Sequence, residues 1–222
     1  CGQKLMKIFL DGSDLAKIEK FNELGLIDGV TTNPSIILKS GKNMIEVISE
    51  LAEIVSGSVS AEVSALDSEK MVQEGIKLSE IAKNVTVKLP ITWDGLRACN
   101  TLSKKCISVN MTLCFSSSQA LLAAKAGAEY VSPFIGRLDD LNLEGIDLIS
   151  DIKLIYSNYK FSTKILAASI RTINHVKQCA RFGADVATIP LDIFEKLVKH
   201  PLTDSGLSQF TADWEKTGQS II

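Results

Sequence analysis

The chain has 222 residues, 45% of them hydrophobic and 23% charged, with a formal net charge of -2. That length suits one substantial core, such as a single α/β barrel, and the near-neutral balance supplies no basic stripe for nucleic acid. No apolar run approaches the roughly 18 residues of a membrane helix, and no charged-then-apolar start suggests export.

In chain order, "CGQKL" (1–5) reads as a tag remnant or frayed extension, and 6–222 as one domain. Apolar, β-branched runs then recur at 7–11, 28–32, 58–64 and 85–90, and again at 107–113, 130–134, 164–169 and 186–190. Their near-continuous apolar character predicts a parallel sheet covered by helices. Helical spacing lies between them. In "NMIEVISELAEIV", Ile45, Ile48, Leu51, Ala52 and Val55 share a stripe. In "SSQALLAAKAG", Ser116 or Ser117 caps the start and Gly127 marks the stop. "AGAEYVSP" and "FGADVATIP" echo one another as tight helix-to-strand connections. Eight such units at roughly 28 residues each predict a (β/α)₈ TIM barrel. After the eighth strand, "DIFEKLVKH" predicts a barrel helix and "TDSGLSQFTADWEKT" one extra C-terminal helix. On that last helix Phe210 and Trp214 are four residues apart, facing either the chain's own barrel or a second subunit.

The five cysteines are scattered, with no C-x-x-C pair. Cys99, Cys114 and Cys179 fall in apolar-periodic segments and read as small buried hydrophobes, a usage that suits a reducing, cytoplasmic compartment. With only two histidines, His175 and His200, a histidine-based zinc site is not expected.

In a barrel of this kind the C-terminal ends of the strands line the reaction site. Those ends carry Asp11, then Thr31, Thr32 and Asn33, then Glu62, Lys88, Asn110 and Thr112. Ser132 with Arg137 and Ser169 with Arg171 follow; the eighth strand offers nothing ionisable. Each has a structural alternative. Asp11 could cap the helix that begins near Ser13, and Asn33-Pro34-Ser35 is a good helix start. Glu62 inside an apolar strand needs a partner. Arg137 and Arg171 could be solvated. Lys88, within "NVTVKLP", is the sharpest case. A closed barrel has no edge for a lysine to guard. Burial disfavours an ammonium, and the neutral amine attacks carbonyls to give a Schiff base.

"FLDGSDLAKI", "GLIDGVTTNPSI", "VTVKLPITWDGLRA", "TLCFSSSQALLAAKAGAEYVSPFIGRLDD", "ASIRTINHV" and "HPLTDSGLSQFTADWEK" together resemble the small subfamily of transaldolases, close to the fructose-6-phosphate aldolases. The likeness runs from Met6 to about Thr217. It implies a (β/α)₈ barrel that moves a dihydroxyacetone unit from sedoheptulose 7-phosphate or fructose 6-phosphate to glyceraldehyde 3-phosphate or erythrose 4-phosphate. This is the chemistry of the non-oxidative pentose phosphate pathway, and it requires no metal or cofactor. By the resemblance, Lys88 forms the Schiff base, Asp11 is the acid–base carboxylate, and Glu62 with Thr112 holds a catalytic water. Asn33 and Asn110 bind donor hydroxyls beside Thr31 and Ser132, while Arg137, Ser169 and Arg171 bind phosphate. The family's Asp-Thr-Ala stretch reads Asp11-Gly12-Ser13 here, which keeps the carboxylate. Fructose-6-phosphate aldolases typically carry Gln at the place of Glu62 and Tyr at that of Phe134, so both residues favour transfer over release of free dihydroxyacetone. The resemblance also implies a homo-oligomer, a pentamer or a decamer. A non-covalent sugar-phosphate isomerase or epimerase, and a barrel that binds sugar phosphates without turnover, are the readings from other classes.

Overall fold

Residue parity in the segment Val85–Pro90 organises the whole fold. Val85, Val87 and Leu89 belong to the large apolar core, whereas Thr86 and Lys88 between them point the other way. Side chains alternate across a strand, so one face of each strand packs under helices and the other lines the interior of the barrel. The computed structural model describes residues 5–222, so the reading of residues 1–5 as an extension falls, but for Leu5, outside the described residues.

The elements run β1 (Lys7–Asp11), α1 (Leu15–Glu23), β2 (Gly29–Thr31), α2 (Pro34–Ser40), α3 (Met44–Ile54), β3 (Ser58–Glu62) and α4 (Ser68–Ser79). They continue with β4 (Val85–Pro90), α5 (Trp93–Ser103), β5 (Val109–Cys114), α6 (Ser117–Lys125), β6 (Tyr130–Pro133), α7 (Ile135–Asp139) and α8 (Gly145–Tyr159). The last are β7 (Lys164–Ala167), α9 (Ile173–Phe182), β8 (Val186–Pro190), α10 (Leu191–Phe194) and α11 (Pro201–Thr217). All eight predicted strands are present and pair in parallel, in sequence order, and β8 closes onto β1. The fold is a TIM barrel with an added C-terminal helix.

Two apolar clusters lie on opposite sides of the strands. The larger, outside the barrel, holds Leu10, Val30, Val59, Val87, Met111, Val131, Ile165 and Ile189 against the helices. Each such side chain, fully buried, contributes about 1.5–3 kcal/mol. The smaller is an interior plug of Phe9, Tyr130, Leu166 and Val186. Gly29 makes room for it, since a Cβ there would stand 2.8 Å from the Phe9 ring and 2.5 Å from the Ser58 carbonyl oxygen. Interior hydroxyls are joined in a chain: Ser58 to Thr86 at 2.7 Å, Thr86 to Ser108 at 3.1 Å, and Ser108 to the Glu129 carboxylate at 2.6 Å. Apart from that plug the strands alternate apolar-out and polar-in, where the sequence suggested continuous apolar runs.

Other differences are local. In α3 the buried stripe is Val47, Ile48 and Leu51, and Ile45 is exposed. The predicted helix over "DIFEKLVKH" is helical only at Leu191–Phe194. Its next turns use i→i+3 bonds from Lys196 to Ile193 and from Leu197 to Phe194, and Pro201 holds His200 extended. Phe210 and Trp214, 72% and 45% exposed, do not pack on the chain's own barrel, and α11 buries no residue. Cys99, Cys114 and Cys179 are buried as expected, and burial pushes each thiol up to about 12. Among the described residues no helix is long and apolar enough to cross a membrane.

Candidate active site

Parallel register brings the inward-facing residues of neighbouring strands side by side. Asp11 pairs with Thr31, Glu62 with Lys88, and Lys88 with Asn110. Adjacent strands lie about 4.8 Å apart, so these side chains meet at one end of the barrel. The caps leave them free to do so. Asp14, not Asp11, accepts from the Lys17 N–H to start α1. Asn33 does cap α2, its Oδ1 accepting from the Ile36 N–H at 3.0 Å, and it also lines the cavity. The structural and functional readings of Asn33 thus hold together.

The Lys88 side chain is 7% exposed. Its Nζ donates to the Thr32 carbonyl oxygen at 3.0 Å and lies 3.0 Å from the Glu62 carboxylate. The charge that a buried lysine brings into an apolar strand is therefore paired. Asp11 accepts from the Thr31 hydroxyl at 2.8 Å, and Thr31 in turn meets Thr188 at 2.6 Å. Burial raises the Asp11 carboxyl above its ordinary value. The Thr31 hydrogen bond and the Lys88 charge pull it down, and Glu62 pushes it up.

A cavity of about 420 Å³ opens over this group, lined by Asp11, Thr31, Asn33, Lys88, Thr112, Ser132, Phe134, Arg137, Ser169 and Arg171. That volume suits a small metabolite. The Thr112 hydroxyl is buried, and its Oγ1 has no hydrogen-bond partner among the described residues. A buried polar atom aimed into a cavity is a ready contact for a water or a substrate hydroxyl. Glu62 reaches Lys88 rather than Thr112, and it also borders a second, apolar cavity beside Pro34, Ile37 and Met44. Asn110 is fully buried behind the wall. Its Oδ1 accepts from Ser132 at 2.8 Å, and its Nδ2 lies 3.4 Å from Ser60 Oγ.

The opposite wall comes from the ends of β6 and β7. Phe134 bridges to Ala168 and carries the Arg137 guanidinium 5.0 Å above its ring, a cation–π contact that fixes the arginine. Ser169 holds a left-handed φ of 58°, uncommon for a residue with a side chain. Arg171 forks onto Asp140, with Nη1 and Nη2 each 2.6 Å from a carboxylate oxygen.

Sequence reading missed four residues here. Thr188, Ser35 and Lys39 line the cavity, and Asp140 holds Arg171. Thr188 was legible from its inward parity on β8. Lys39 and Asp140, on a helix and just beyond one, carry no such mark.

Comparison with known proteins shows the family. Residues 8–221 match the family model described as transaldolase/fructose-6-phosphate aldolase. A protein of Roseobacter denitrificans named probable transaldolase is 64% identical over 217 residues, covering 98% of this chain and 100% of the relative. Proteins of the same name from Dinoroseobacter shibae and Parvibaculum lavamentivorans are 60% and 58% identical, each covering 98% of this chain and 100% of the relative. The chain belongs to the transaldolase/fructose-6-phosphate aldolase family.

Proposed function

We propose that the protein is a transaldolase, transferring a dihydroxyacetone unit from sedoheptulose 7-phosphate or fructose 6-phosphate to an aldose phosphate through a Schiff base on Lys88. The observation that carries this reading is the Lys88 amine, buried and 3.0 Å from Glu62, lining a cavity that also holds Asp11, Arg137 and Arg171. The Glu62 carboxylate accepts the proton that the amine must lose. The free amine adds to the C2 carbonyl, and loss of water gives the iminium. Thr112 and Glu62 serve the proton transfers of that step. Electrons of the C3–C4 bond pass into the iminium while Asp11 takes the C4 hydroxyl proton, and an aldose phosphate leaves. The enamine stays on Lys88, its hydroxyls met by Asn33, Thr31 and Ser132, with Asn110 holding Ser132. A second aldehyde then adds, Asp11 returns the proton, and water releases the product. Arg137, Ser169 and Arg171 bind the phosphate, for which the planar arginine fork is suited.

A non-covalent isomerase or epimerase would not use the lysine in this way. Borohydride added with fructose 6-phosphate should leave a reduced adduct on Lys88, found by peptide mass analysis and lost in Lys88→Ala along with transfer. Full activity after reduction would exclude the covalent route.

Asp11 supplies a prediction with a defined sign. Its folded carboxyl binds a proton more tightly than an ordinary aspartate of about 3.9. Between those two values the folded state therefore holds more protons than the unfolded chain, and stability falls as pH rises. Above the folded value that penalty is fully present. Asp11→Asn should melt at the same temperature or higher at pH 7, yet lose roughly 10²–10⁴-fold in turnover. In the parent enzyme kcat/KM should fall in acid with an inflection above the ordinary aspartate value. A marked drop in melting temperature for the variant would mean that Asp11 is structural.

Fructose-6-phosphate aldolase is the close alternative. Phe134 lines the cavity, and Phe134→Tyr would set a hydroxyl there. Free dihydroxyacetone released from fructose 6-phosphate should rise in that variant, and an unchanged rate removes Phe134 from the reacting centre.

The reading extends to a cytoplasmic homo-oligomer, a pentamer or decamer. It is supported by Leu202, Leu207, Phe210 and Trp214, all exposed on α11. Light scattering should give a mass of five or ten chains, and a monomer mass would sink this part.

A further inference from the structure

We propose that Asp140 is a positioning residue for the sugar phosphate, fixing the guanidinium of Arg171 at the cavity wall. This rests on the transaldolase reading and names the group that sets its phosphate affinity.

Three observations converge on Arg171. First, both Asp140 oxygens accept from its two terminal nitrogens, at 2.6 Å each. This end-on grip engages one N–H of each terminal nitrogen. It leaves the second N–H on each, and the Nε–H, to meet an anion. Second, the stem of the side chain crosses Gly136. A Cβ at that glycine would stand 2.9 Å from Arg171 Nε, 3.0 Å from its Cγ and 2.2 Å from the Ser169 carbonyl oxygen. Third, the main chain is held from behind. The Arg171 N–H donates to His175 Nδ1 at 3.3 Å, and His175 Nε2 lies 3.0 Å from an Asp139 oxygen. Backbone, stem and head of Arg171 are thus each fixed by the stretch from Gly136 to Asp140.

The same short stretch carries Arg137, stacked on Phe134. The two cavity arginines, one on α7 after β6 and one in the loop after β7, are therefore tied to one scaffold. The Arg171–Asp140 pair is about half exposed, and exposed pairs contribute little to folding. Its effect belongs at the wall it shapes. A free arginine would have to give up its rotamer freedom each time it caught a phosphate, whereas one already gripped does not. The carboxylate also lowers the positive charge of this wall, so that the phosphate is held without being trapped. The two effects have opposite signs. Loss of positioning weakens phosphate binding, and loss of the negative charge alone would tighten it. The grip on both terminal nitrogens favours the first.

The test compares Asp140→Ala, Asp140→Asn and Asp140→Glu with the parent enzyme. The donor is fructose 6-phosphate, and the acceptor is glyceraldehyde 3-phosphate or unphosphorylated glyceraldehyde. Inorganic phosphate serves as a competitive inhibitor. In Asp140→Ala the KM for the phosphorylated acceptor and the Ki of inorganic phosphate should both rise about 3- to 10-fold, the size of one side chain's rotamer cost. The kcat should hold within about twofold, the KM for fructose 6-phosphate should rise with the other phosphate terms, and at saturating donor the KM for glyceraldehyde should not move. Asp140→Asn, which keeps one acceptor oxygen, should fall between, and Asp140→Glu should recover part of the loss. An unchanged or lower KM for the phosphorylated acceptor overturns the proposal, as does an equal rise in KM for both acceptors at saturating donor. If the parent enzyme traps its adduct on Lys88 and only the phosphate terms fail to move, the positioning role alone is wrong. If no adduct forms, the transfer reading itself is at fault.

Discussion

The buried amine of Lys88 is the constraint around which the rest of the molecule is arranged. Taking an ammonium out of water costs several kcal/mol unless a partner and further hydrogen bonds offset it. Here the Glu62 carboxylate and the Thr32 carbonyl do so, at 3.0 Å each. Glu62 ends β3 and Thr32 directly follows β2, and the place of Glu62 follows from parallel register, because it is the paired neighbour of Lys88. The pair is thus a consequence of the β3–β4 register, not of any local sequence motif. Slipping β3 against β4 by one residue would turn Glu62 outward and leave the amine without its carboxylate.

The alternation that admits Lys88 runs through the whole sheet. Outward residues such as Val87, Leu89, Val109 and Met111 pack beneath the helices, while inward ones are threonines, serines, an asparagine and the ionisable groups. The interior could have been filled with branched apolar side chains, as barrels often are. Instead the apolar interior shrinks to Phe9, Tyr130, Leu166 and Val186, with linked hydroxyls beside it. Stability comes chiefly from outside the strands, which leaves the inside available for polar chemistry.

Much of this was legible from the sequence, and the reasons differ by element. The strands were visible because valine, isoleucine and threonine cluster between turn residues, and their polar ends mark the rim of a parallel barrel. The alternation within them was harder to see. In "VTVKLP" the inward residues are a β-branched threonine and a long-stemmed lysine, both of which pass for members of an apolar run. Thr188 was overlooked for the same reason, since a hydroxyl between Ala187 and Ile189 looks like packing until its partner Thr31 comes within 2.6 Å. The helix at Leu191–Phe194 is shorter than the sequence predicts because apolar spacing continues through "LVKH", whereas i→i+3 bonds already tighten the chain there. Asp140 was invisible because its meaning depends on Arg171, 31 residues later in the chain and from another unit of the barrel.

The charges around Asp11 also explain how one carboxyl could act in both directions of the proposed cycle. Three influences act on it besides burial: the Thr31 hydroxyl and the Lys88 charge favour its ionised form, and the Glu62 charge opposes it. When the amine gives its proton to Glu62, the opposing charge disappears. When the carbinolamine loses water, Glu62 gives that proton to the leaving hydroxyl, so the iminium's positive charge returns beside an ionised Glu62. The charge on that nitrogen and the Thr31 hydroxyl then favour the ionised form of Asp11, at the step where it must accept a proton. Once the C3–C4 bond has broken, the iminium has become a neutral enamine, and the charge that held Asp11 ionised is gone. Burial again favours the protonated acid, which is the form needed to deliver a proton to the incoming aldehyde. The alternation between base and acid therefore follows from the charge on one nitrogen and needs no movement of the backbone.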